Sequence, residues 1–179
     1  MIKSMDSKNG RCAVVLPQGV LFHSGKEGEI REQLVRSDKL EAVITLASGV
    51  FYSTGVSACI LFLNNKKEHK HKGRICLIDG TEIYTPQRAQ NIISPDNVKT
   101  LYKLYTDYVD VIEKCKIVTI DDVEKGGFEL SVKKYIEQKA KEAIPHEKVL
   151  LAYYEALTKV RKSEEKMRKL LIEGGYVNE

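Results

Sequence analysis

Two long apolar runs in the first half of the chain flank a segment with helical periodicity. The run Arg11–Pro17 is almost uninterrupted in its apolar character and closes with a proline, which predicts a strand buried on both faces of a parallel sheet. Apolar residues recur at helical spacing over residues 25–36, and Ser24 with Glu27 forms a capping-box signal at the start. Leu40–Leu46 is the next predicted strand, so a right-handed parallel crossover is expected.

A third apolar run, Val56–Leu63, follows the second strand after only a short loop that has no helical pattern. Parallel strands need a long crossover, so this spacing predicts an antiparallel pair joined by a long-looped hairpin. The segment Asn64–Arg74 is charged and predicts a loop, and Ile75–Asp79 is the fourth predicted strand. The first half is therefore α/β in character, with one antiparallel hairpin.

The second half of the chain is dominated by helical patterns. Ser94 followed by Pro95 predicts a helix start, with serine as the cap and proline at the first helical position. One apolar face of this helix is predicted to comprise Val98, Leu101, Tyr105, Tyr108 and Ile112. Ile117–Ile120 predicts a short strand, and Gly126–Gly127 predicts a turn.

The pattern near the end of the chain predicts one long helix. Residues Glu129–Lys141 favour a helix that Pro145 ends, and His146–Ile172 then favours a longer one. Its seam has alternating spacings of three and four, with one charged interruption, and comprises Leu150, Tyr153, Leu157, Val160, Glu164, Met167 and Leu171. Such a helix is expected to pack along another helix. The predicted division is an α/β portion over residues 1–92 and a helical region over residues 93–179.

Composition narrows the class of protein. A hydrophobic fraction of 42%, a charged fraction of 30% and a mean hydropathy of −0.30 are typical of a soluble globular protein and give no membrane span. The N-terminus has no signal core, so a cytoplasmic location is expected. The four cysteines form no CxxC pair and are expected to be free thiols. The net charge of +4 is compatible with a nucleic-acid partner without requiring one.

Several of these segments resemble the modification subunit of type I restriction–modification systems. The first block, residues 10–22 and 27–31, is the most specific. The resemblance continues through Leu40–Leu46, through Phe51-Tyr52-Ser53-Thr54-Gly55-Val56, through residues 60–63 and 78–79, and through a segment that begins Phe128-Glu129-Leu130-Ser131. About 125 residues are covered by these segments and the stretches between them.

This resemblance implies an adenine-N6 DNA methyltransferase that uses S-adenosylmethionine. The implied fold is the C-terminal part of a Rossmann-like methyltransferase sheet, in which the last strand runs antiparallel between two parallel strands, followed by C-terminal helices. The implied partners are duplex DNA and the specificity and restriction subunits of a type I system. The family places sequence recognition in the specificity subunit.

The family's glycine-rich donor motif and its Asn-Pro-Pro-Phe motif match no residue of this sequence. The chain is therefore expected to be a fragment, either designed or produced by a broken reading frame. We expect it to be inactive alone and to bind no S-adenosylmethionine, and its open sheet edge makes a homodimer possible. The alternative is a non-enzymatic α/β interaction module that docks through its terminal helix, which requires no family resemblance. A complete enzyme of another class is not expected, because no catalytic constellation of side chains rises above chance spacing.

Two loops carry the predicted substrate-binding residues, because ligands bind beyond the carboxyl ends of strands in open α/β sheets. In the loop of residues 18–25, Phe22 is the predicted stacking surface for an extruded base, and His23, Ser24 and Lys26 are predicted to contact the DNA. The alternative is that Phe22 packs under the helix and Ser24 only caps it. In the loop of residues 50–55 the predicted residues are Phe51, Tyr52 and Thr54, which could instead plug the hairpin.

A basic loop gives the other predicted DNA contacts, and its cations are Lys66, Lys67, Lys70, Lys72 and Arg74. Phosphate contacts by such residues would add salt-dependent affinity, whereas the alternative is a solvated turn. His69 and His71 lie in the same loop, but two histidines without a third ligand do not predict a metal site. The basic outer face of the terminal helix could likewise be only solvated, or could contact a partner or DNA.

Overall fold

A computed structural model describes residues 4–51, 54–88, 90–136 and 146–176. The chain forms two compact units, Met1–Lys139 and Ala140–Glu179. The first unit extends past the boundary predicted at residue 92, because a strand after that residue pairs into the main sheet. Tyr52 and residues 137–145 of the predicted helix region lie outside the described residues.

The first unit contains a five-stranded mixed sheet. Its strands are β1 (Arg11–Pro17), β2 (Leu40–Leu46), β3 (Ala58–Asn64), β4 (Arg74–Gly80) and β7 (Cys115–Thr119). Their order across the sheet is β1-β3-β2-β4-β7. A separate two-stranded ribbon is formed by β5 (Thr85–Pro86) and β6 (Asn91–Ile92). Strand β3 runs antiparallel to both β1 and β2, which confirms the predicted hairpin and places an antiparallel strand between two parallel ones.

Helices cover the two faces of this sheet. They are α1 (Lys26–Arg36), α2 (Pro95–Asp107), α3 (Ile120–Lys125) and α4 (Val132–Tyr135). One core joins α1, α3 and α4 to the sheet through Val35, Val43, Val123 and Val132, and the other joins α2 to the opposite face through Ile44 and Leu101. The alternation of side chains along each strand produces this three-layer α/β arrangement.

Strand β2 has all seven residues buried, as expected for a central strand. A bulge shifts its register against β3 between Leu40 and Ala42. Because of this bulge, Leu40 packs with Val43 in one core even though their positions differ by three. The extra residue, Glu41, is only 3% exposed and lies among polar side chains.

The prediction that β1 is buried on both faces was wrong for this chain. Its residues alternate between exposed and partly buried, and Val15 is 52% exposed. Cys12 and Leu16 pack against the core, but no described strand pairs with the outer side of β1. An edge strand without a neighbour leaves one line of backbone groups and half of its side chains open to solvent.

Two local predictions for the helices also need correction. Helix α1 begins after Gly25, whose φ of 72° suits glycine, and Ser24 makes no side-chain cap. Helix α2 has the predicted Ser94 cap, which forms a capping box with Asn97, but it ends at Asp107. Ile112, which was predicted to belong to its apolar face, therefore lies beyond the end of the helix and is 59% exposed.

The second unit is described over a single helix, α5 (His146–Glu173), which agrees with the predicted long helix. Apolar seam residues are exposed along it, including Tyr153 at 58%, Val160 at 55% and Met167 at 58%. A row of apolar side chains in solvent is typical of a helix that binds another surface. Within the described part of the chain, no helix is both long enough and apolar enough to span a bilayer.

Candidate functional site at the carboxyl edge of the sheet

Three loops meet at one edge of the sheet. Strands β1, β2 and β4 end there at Pro17, Leu46 and Gly80, because β1 and β2 both run antiparallel to β3, and β4 runs parallel to β2. The loops that follow these strands carry both sets of predicted substrate-binding residues. Open α/β sheets bind ligands at this edge, so it is the candidate site.

The loop after β1 is folded back on itself. Gln18–Leu21 forms a 3-10 turn, and the amides of Phe22 and His23 both donate to the Gly19 carbonyl at 3.0 and 2.9 Å. Leu21 is 1% exposed and fixes the turn in the core. The loop is therefore a defined structure rather than a free connection.

The side chain of Arg31, in α1, fixes this loop through hydrogen bonds. Its Nη1 donates to the carbonyls of Val20 and His23, both at 2.9 Å, and its Nε donates to the carbonyl of Phe128 at 2.6 Å. Burial lowers the pKa of Arg31, while Glu129 and Glu27 oppose that effect. Three backbone carbonyls, from two segments far apart in the sequence, thus receive charge-assisted hydrogen bonds from one side chain.

Phe22 projects from this held loop and is 50% exposed. Its ring meets the His23 ring edge-on at 5.0 Å, and His23 Nδ1 lies 3.1 Å from Glu27 Oε2. An open hollow of about 610 Å³ is lined by Phe22, His23, Ser24, Lys26 and Glu27. Neither half of the alternative is observed, because Phe22 is not buried under the helix and Ser24 does not cap it. The structure therefore brings Phe22, His23, Ser24 and Lys26 together.

The loop after β2 faces a second, polar cleft of about 320 Å³. Phe51 is 44% exposed, and Thr54 Oγ1 accepts a hydrogen bond from the Val56 amide at 3.1 Å. Opposite them lie four residues that the sequence analysis missed, Gln87, Arg88, Gln90 and Asn91. No local pattern marks these residues, since only the folding back of the β5–β6 ribbon brings them to the loop.

The predicted basic loop lies at the opposite edge of the sheet. It joins the end of β3 at Asn64 to the start of β4 at Arg74, which is the edge where β2 begins. The structure therefore does not bring these lysines together with Phe22 or Phe51. Lys66, Lys70 and Lys72 are exposed.

The prediction that Lys67 contacts DNA is contradicted by its position in the structure. It is 6% exposed, and its ammonium donates to Asp38 Oδ1 at 2.6 Å and to the Arg74 carbonyl at 2.9 Å. Asp38 Oδ2 accepts in turn from the Gly73 amide at 3.0 Å. Because this cation ties the basic loop to the turn before β2, it is not free to contact phosphate.

His71 is buried in a polar cluster on the α2 side of the sheet. Its Nδ1 lies 3.2 Å from Glu41 Oε1, and its ring stacks on Tyr108 at 3.6 Å. Glu41 Oε2 accepts from Tyr105 at 2.8 Å and from Asn64 at 3.1 Å. Within the described residues, no three His, Cys, Asp or Glu side chains group in a way that could hold a metal ion.

The net pKa of Glu41 is lowered, although its burial acts to raise it. Hydrogen bonds from Tyr105, His71 and Asn64 favour the carboxylate and outweigh the desolvation. Burial and the adjacent Glu41 raise the pKa of Tyr105 in the same cluster. The cluster therefore holds a charged Glu41 carboxylate against a neutral Tyr105 phenol. Because the carboxylate is buried, we assign the cluster a structural role rather than a catalytic one.

The four cysteines are free thiols, and three of them are buried. Burial raises the pKa of Cys59 to about 11, which leaves it a protonated and unreactive thiol. Cys76 and Cys115 lie with their sulfurs 3.5 Å apart inside the sheet. None of these three is placed as an exposed nucleophile.

The chain is similar in sequence to one family of known proteins. A model of the family described as N-6 DNA Methylase matches residues 1–143. Among curated relatives, the type I restriction enzyme MjaVIII methylase subunit of Methanocaldococcus jannaschii is 31% identical over 172 residues, which is 94% of this chain and 29% of the relative. The MpnII methylase subunit of Mycoplasma pneumoniae is 31% identical over 133 residues, or 74% of this chain and 24% of that protein.

Solved structures support the same fold. A type I restriction–modification methyltransferase subunit from Streptococcus thermophilus superposes with a TM-score of 0.70 at 22% identity, covering 76% of this chain and 28% of that one. A structure concerned with complex assembly of the type I system gives a TM-score of 0.59 at 19% identity, covering 93% of this chain and 36% of that one. The chain thus spans about a third or less of each of these proteins.

Proposed function

The chain belongs to the N-6 DNA methylase family, and we propose that it is a portion of a type I modification subunit. In this proposal the complete subunit transfers a methyl group from S-adenosylmethionine to the N6 amino group of adenine. The present chain supplies one wall of the pocket for the target base and a helix for subunit assembly. One observation carries the proposal: a half-exposed Phe22 ring on a loop that Arg31 holds in place.

An enzyme that acts on a base in duplex DNA must take that base out of the stack and hold it by stacking. A stacking residue is effective when its position is fixed before the base arrives, because less ordering entropy is then lost on binding. Phe22 meets this requirement through the 3-10 turn and the Arg31 hydrogen bonds. Phe51 and Thr54 line a separate cleft at the same edge of the sheet, and we propose them as a second point of contact with the DNA.

The described residues do not match what a binding site for the methyl donor, S-adenosylmethionine, requires. Strand β1 runs into a 3-10 turn filled by the buried Leu21, and α1 then begins with Glu27 and Glu29 in its first turn. A Rossmann-type cofactor site would need a glycine-rich turn after the strand, where the backbone can approach the cofactor closely. We therefore place the donor site in a part of the relatives that this chain does not match, and we expect the chain to be inactive alone.

Calorimetry tests the placement of the donor site. Titration of S-adenosylmethionine into the 179-residue chain is expected to give no heat of binding. Tight, stoichiometric binding would contradict this part of the proposal. It would leave the family assignment, which rests on the sequence match over residues 1–143, unaffected.

The stacking role is tested with DNA that carries an unpaired adenine. We expect Phe22→Ala to weaken binding of a fluorescein-labelled bulged duplex by about fivefold or more, because base–aromatic stacking contributes roughly 1–3 kcal/mol per base. Tyr102→Ala is the matched control, since Tyr102 is an aromatic residue of α2 that is 63% exposed. Equal affinities for the two variants would exclude Phe22 as the stacking residue.

Assembly with partner subunits is proposed to use α5. Its exposed apolar seam fits a partner helix better than it fits solvent, which favours docking of the specificity subunit. The restriction subunit and a homodimer through the open edge of β1 are the further proposed partners. A Val160→Asp and Met167→Asp double variant is expected to abolish co-purification with the specificity subunit. The control is Lys159→Gln with Lys166→Gln, which changes the net charge by the same two units away from the seam.

A further inference from the structure

Hydrogen bonds fix the ribbon formed by β5 and β6 to the loop after β2 and to the start of α2. The Asn91 amide donates to the Gly49 carbonyl at 2.9 Å, and Asn91 Nδ2 donates to the Ser48 carbonyl at 2.8 Å. At the other end, Thr85 Oγ1 donates to Asn97 Oδ1 of the α2 capping box at 3.0 Å. The ribbon therefore holds its described tip residues, Gln87, Arg88 and Gln90, beside the loop that follows β2.

This tip and the Phe51 ring form two sides of the polar cleft. Its volume of about 320 Å³ lies at the small end of the range for ligand pockets, which is about 300–1,000 Å³. Phe51 contributes an aromatic face that is 44% exposed, and Gln87 and Gln90 contribute amide groups. An aromatic face beside amides is suited to a planar heterocycle that presents a hydrogen-bonding edge.

Gln90 has an acceptor without a donor. Its Oε1 is buried and receives no hydrogen bond from any described residue. Buried polar atoms are nearly always hydrogen-bonded, and an unmatched one is costly. A rotation of the Gln90 side chain toward the cleft would bring this acceptor to a ligand amino group, and a glutamine amide is a known partner for the edge of adenine.

Arg88 supplies the charge in the same cleft. Its side chain is exposed and forms no ion pair with the residues that the structure describes. The planar guanidinium binds a phosphate through two parallel hydrogen bonds. The aromatic ring matches the face of a base, and the amides match its hydrogen-bonding edge. The arginine matches the phosphate of the same nucleotide.

We infer that the cleft between Phe51 and the ribbon residues Gln87, Arg88 and Gln90 binds one nucleotide of the DNA substrate. This inference rests on the proposed function and adds the ribbon to it as a DNA-contacting element. Gln90 Oε1 accepts from an amino group of the base, and Arg88 binds the adjoining phosphate. The ribbon and the Phe22 loop thus contact the DNA strand at separate points of the same sheet edge.

The test measures fluorescence anisotropy of the full 179-residue chain with a fluorescein-labelled oligodeoxynucleotide, both single-stranded and as a duplex with one unpaired adenine. Arg88→Gln is expected to weaken binding about three- to tenfold at low salt and to reduce the slope of log affinity against log salt by about 0.7–0.9. Gln90→Leu is expected to weaken binding about two- to tenfold, with the salt slope unchanged. Lys8→Gln is the matched control, because this exposed cation precedes β1, which begins at the opposite edge of the sheet.

The outcomes separate this inference from the proposed function. Loss of affinity in both ribbon variants with none in Lys8→Gln supports the inference, provided that circular dichroism shows all variants folded. Binding that is sensitive to Phe22→Ala but unchanged in Arg88→Gln and Gln90→Leu overturns the inference and leaves the proposed stacking role standing. No binding of either oligonucleotide by the unaltered chain overturns both.

Discussion

Arg31 Nε donates a hydrogen bond of 2.6 Å to the carbonyl of Phe128, a residue 97 positions later in the chain. Phe128 has a φ of 57° and follows Gly127 in a tight turn, so its carbonyl is directed by an uncommon backbone conformation. The Leu130 amide adds a second connection, at 2.8 Å to the Leu21 carbonyl. Two distant segments of the chain are thereby joined beneath the Phe22 loop.

Replacement of Arg31 is expected to destabilise the first unit. Arg31→Met keeps much of the apolar stem but leaves the carbonyls of Val20, His23 and Phe128 without their donors, at a cost of about 3 kcal/mol in the free energy of unfolding. Urea denaturation followed by circular dichroism measures the change. Arg161→Met, at an exposed site on α5, is the control and should change the free energy of unfolding by less than about 0.5 kcal/mol. Similar midpoints for both variants would show that the three hydrogen bonds contribute little.

Glu41 is expected to make the stability depend on acid. Its pKa is lowered in the folded state, so its contribution is fully present above its ordinary pKa of about 4.3 and is lost as pH falls through the lower folded value. The unaltered chain should therefore lose stability more steeply than Glu41→Gln as pH is lowered from about 5. Glu165→Gln on the exposed surface of α5 should retain the steep slope. The measurement is the free energy of unfolding at a series of pH values.

Two glycines near the start of α1 are expected to respond in opposite directions. Gly25 has a φ of 72°, so Gly25→Ala should cost about 1 kcal/mol through backbone strain. Gly28 lies within α1, and a Cβ there would meet the His23 carbonyl oxygen at an ordinary contact distance of 3.5 Å. Gly28→Ala should therefore stabilise by about 0.4–1 kcal/mol by restricting the unfolded chain. Thermal unfolding of both variants measures the direction of each change in stability. A shift of the melting temperature in the same direction for both would contradict the different roles assigned to Gly25 and Gly28.

Lys67 and Lys70 are expected to differ sharply although they are close in sequence. Lys67→Ala removes the buried partner of Asp38 and should cost about 3 kcal/mol. Lys70 pairs with Glu68 at 3.3 Å on the exposed surface, so Lys70→Ala should change the free energy of unfolding by less than about 1 kcal/mol. Chemical denaturation of the two variants provides the comparison. Equal destabilisation would mean that the position of Lys67 in the structure is not its position in solution.

Hydrophobic patterning alone predicted most of the first unit. The strands β2, β3 and β4, the cap at Ser94 and the antiparallel hairpin were found where the sequence placed them, because apolar runs and short loops restrict local structure strongly. The prediction for β1 failed because its burial depends on neighbours rather than on its own residues. An identical strand is buried in the middle of a sheet and exposed at its edge.

The candidate site was predicted in part. Phe22 and its neighbours could be placed by the rule that ligands bind after the carboxyl ends of strands, and the structure does bring Phe22, His23, Ser24 and Lys26 to one hollow. Which lysine is buried and which is exposed could not be predicted in the same way. Lys67 and Lys70 have the same chemistry and a similar local context, and only the approach of Asp38 in three dimensions buries one and leaves the other in solvent.

The sequence by itself determined the element types and the hairpin, since these follow from periodicity, propensity and loop length over a few residues. Tertiary structure decided which polar groups meet: Arg31 with Phe128, Asp38 with Lys67, and the ribbon with the loop of Phe51. The physical reason is that hydrogen bonds and ion pairs act over a few ångströms, whereas the partners in these cases are tens of residues apart. Only the packing of strands and helices brings such groups within reach of each other.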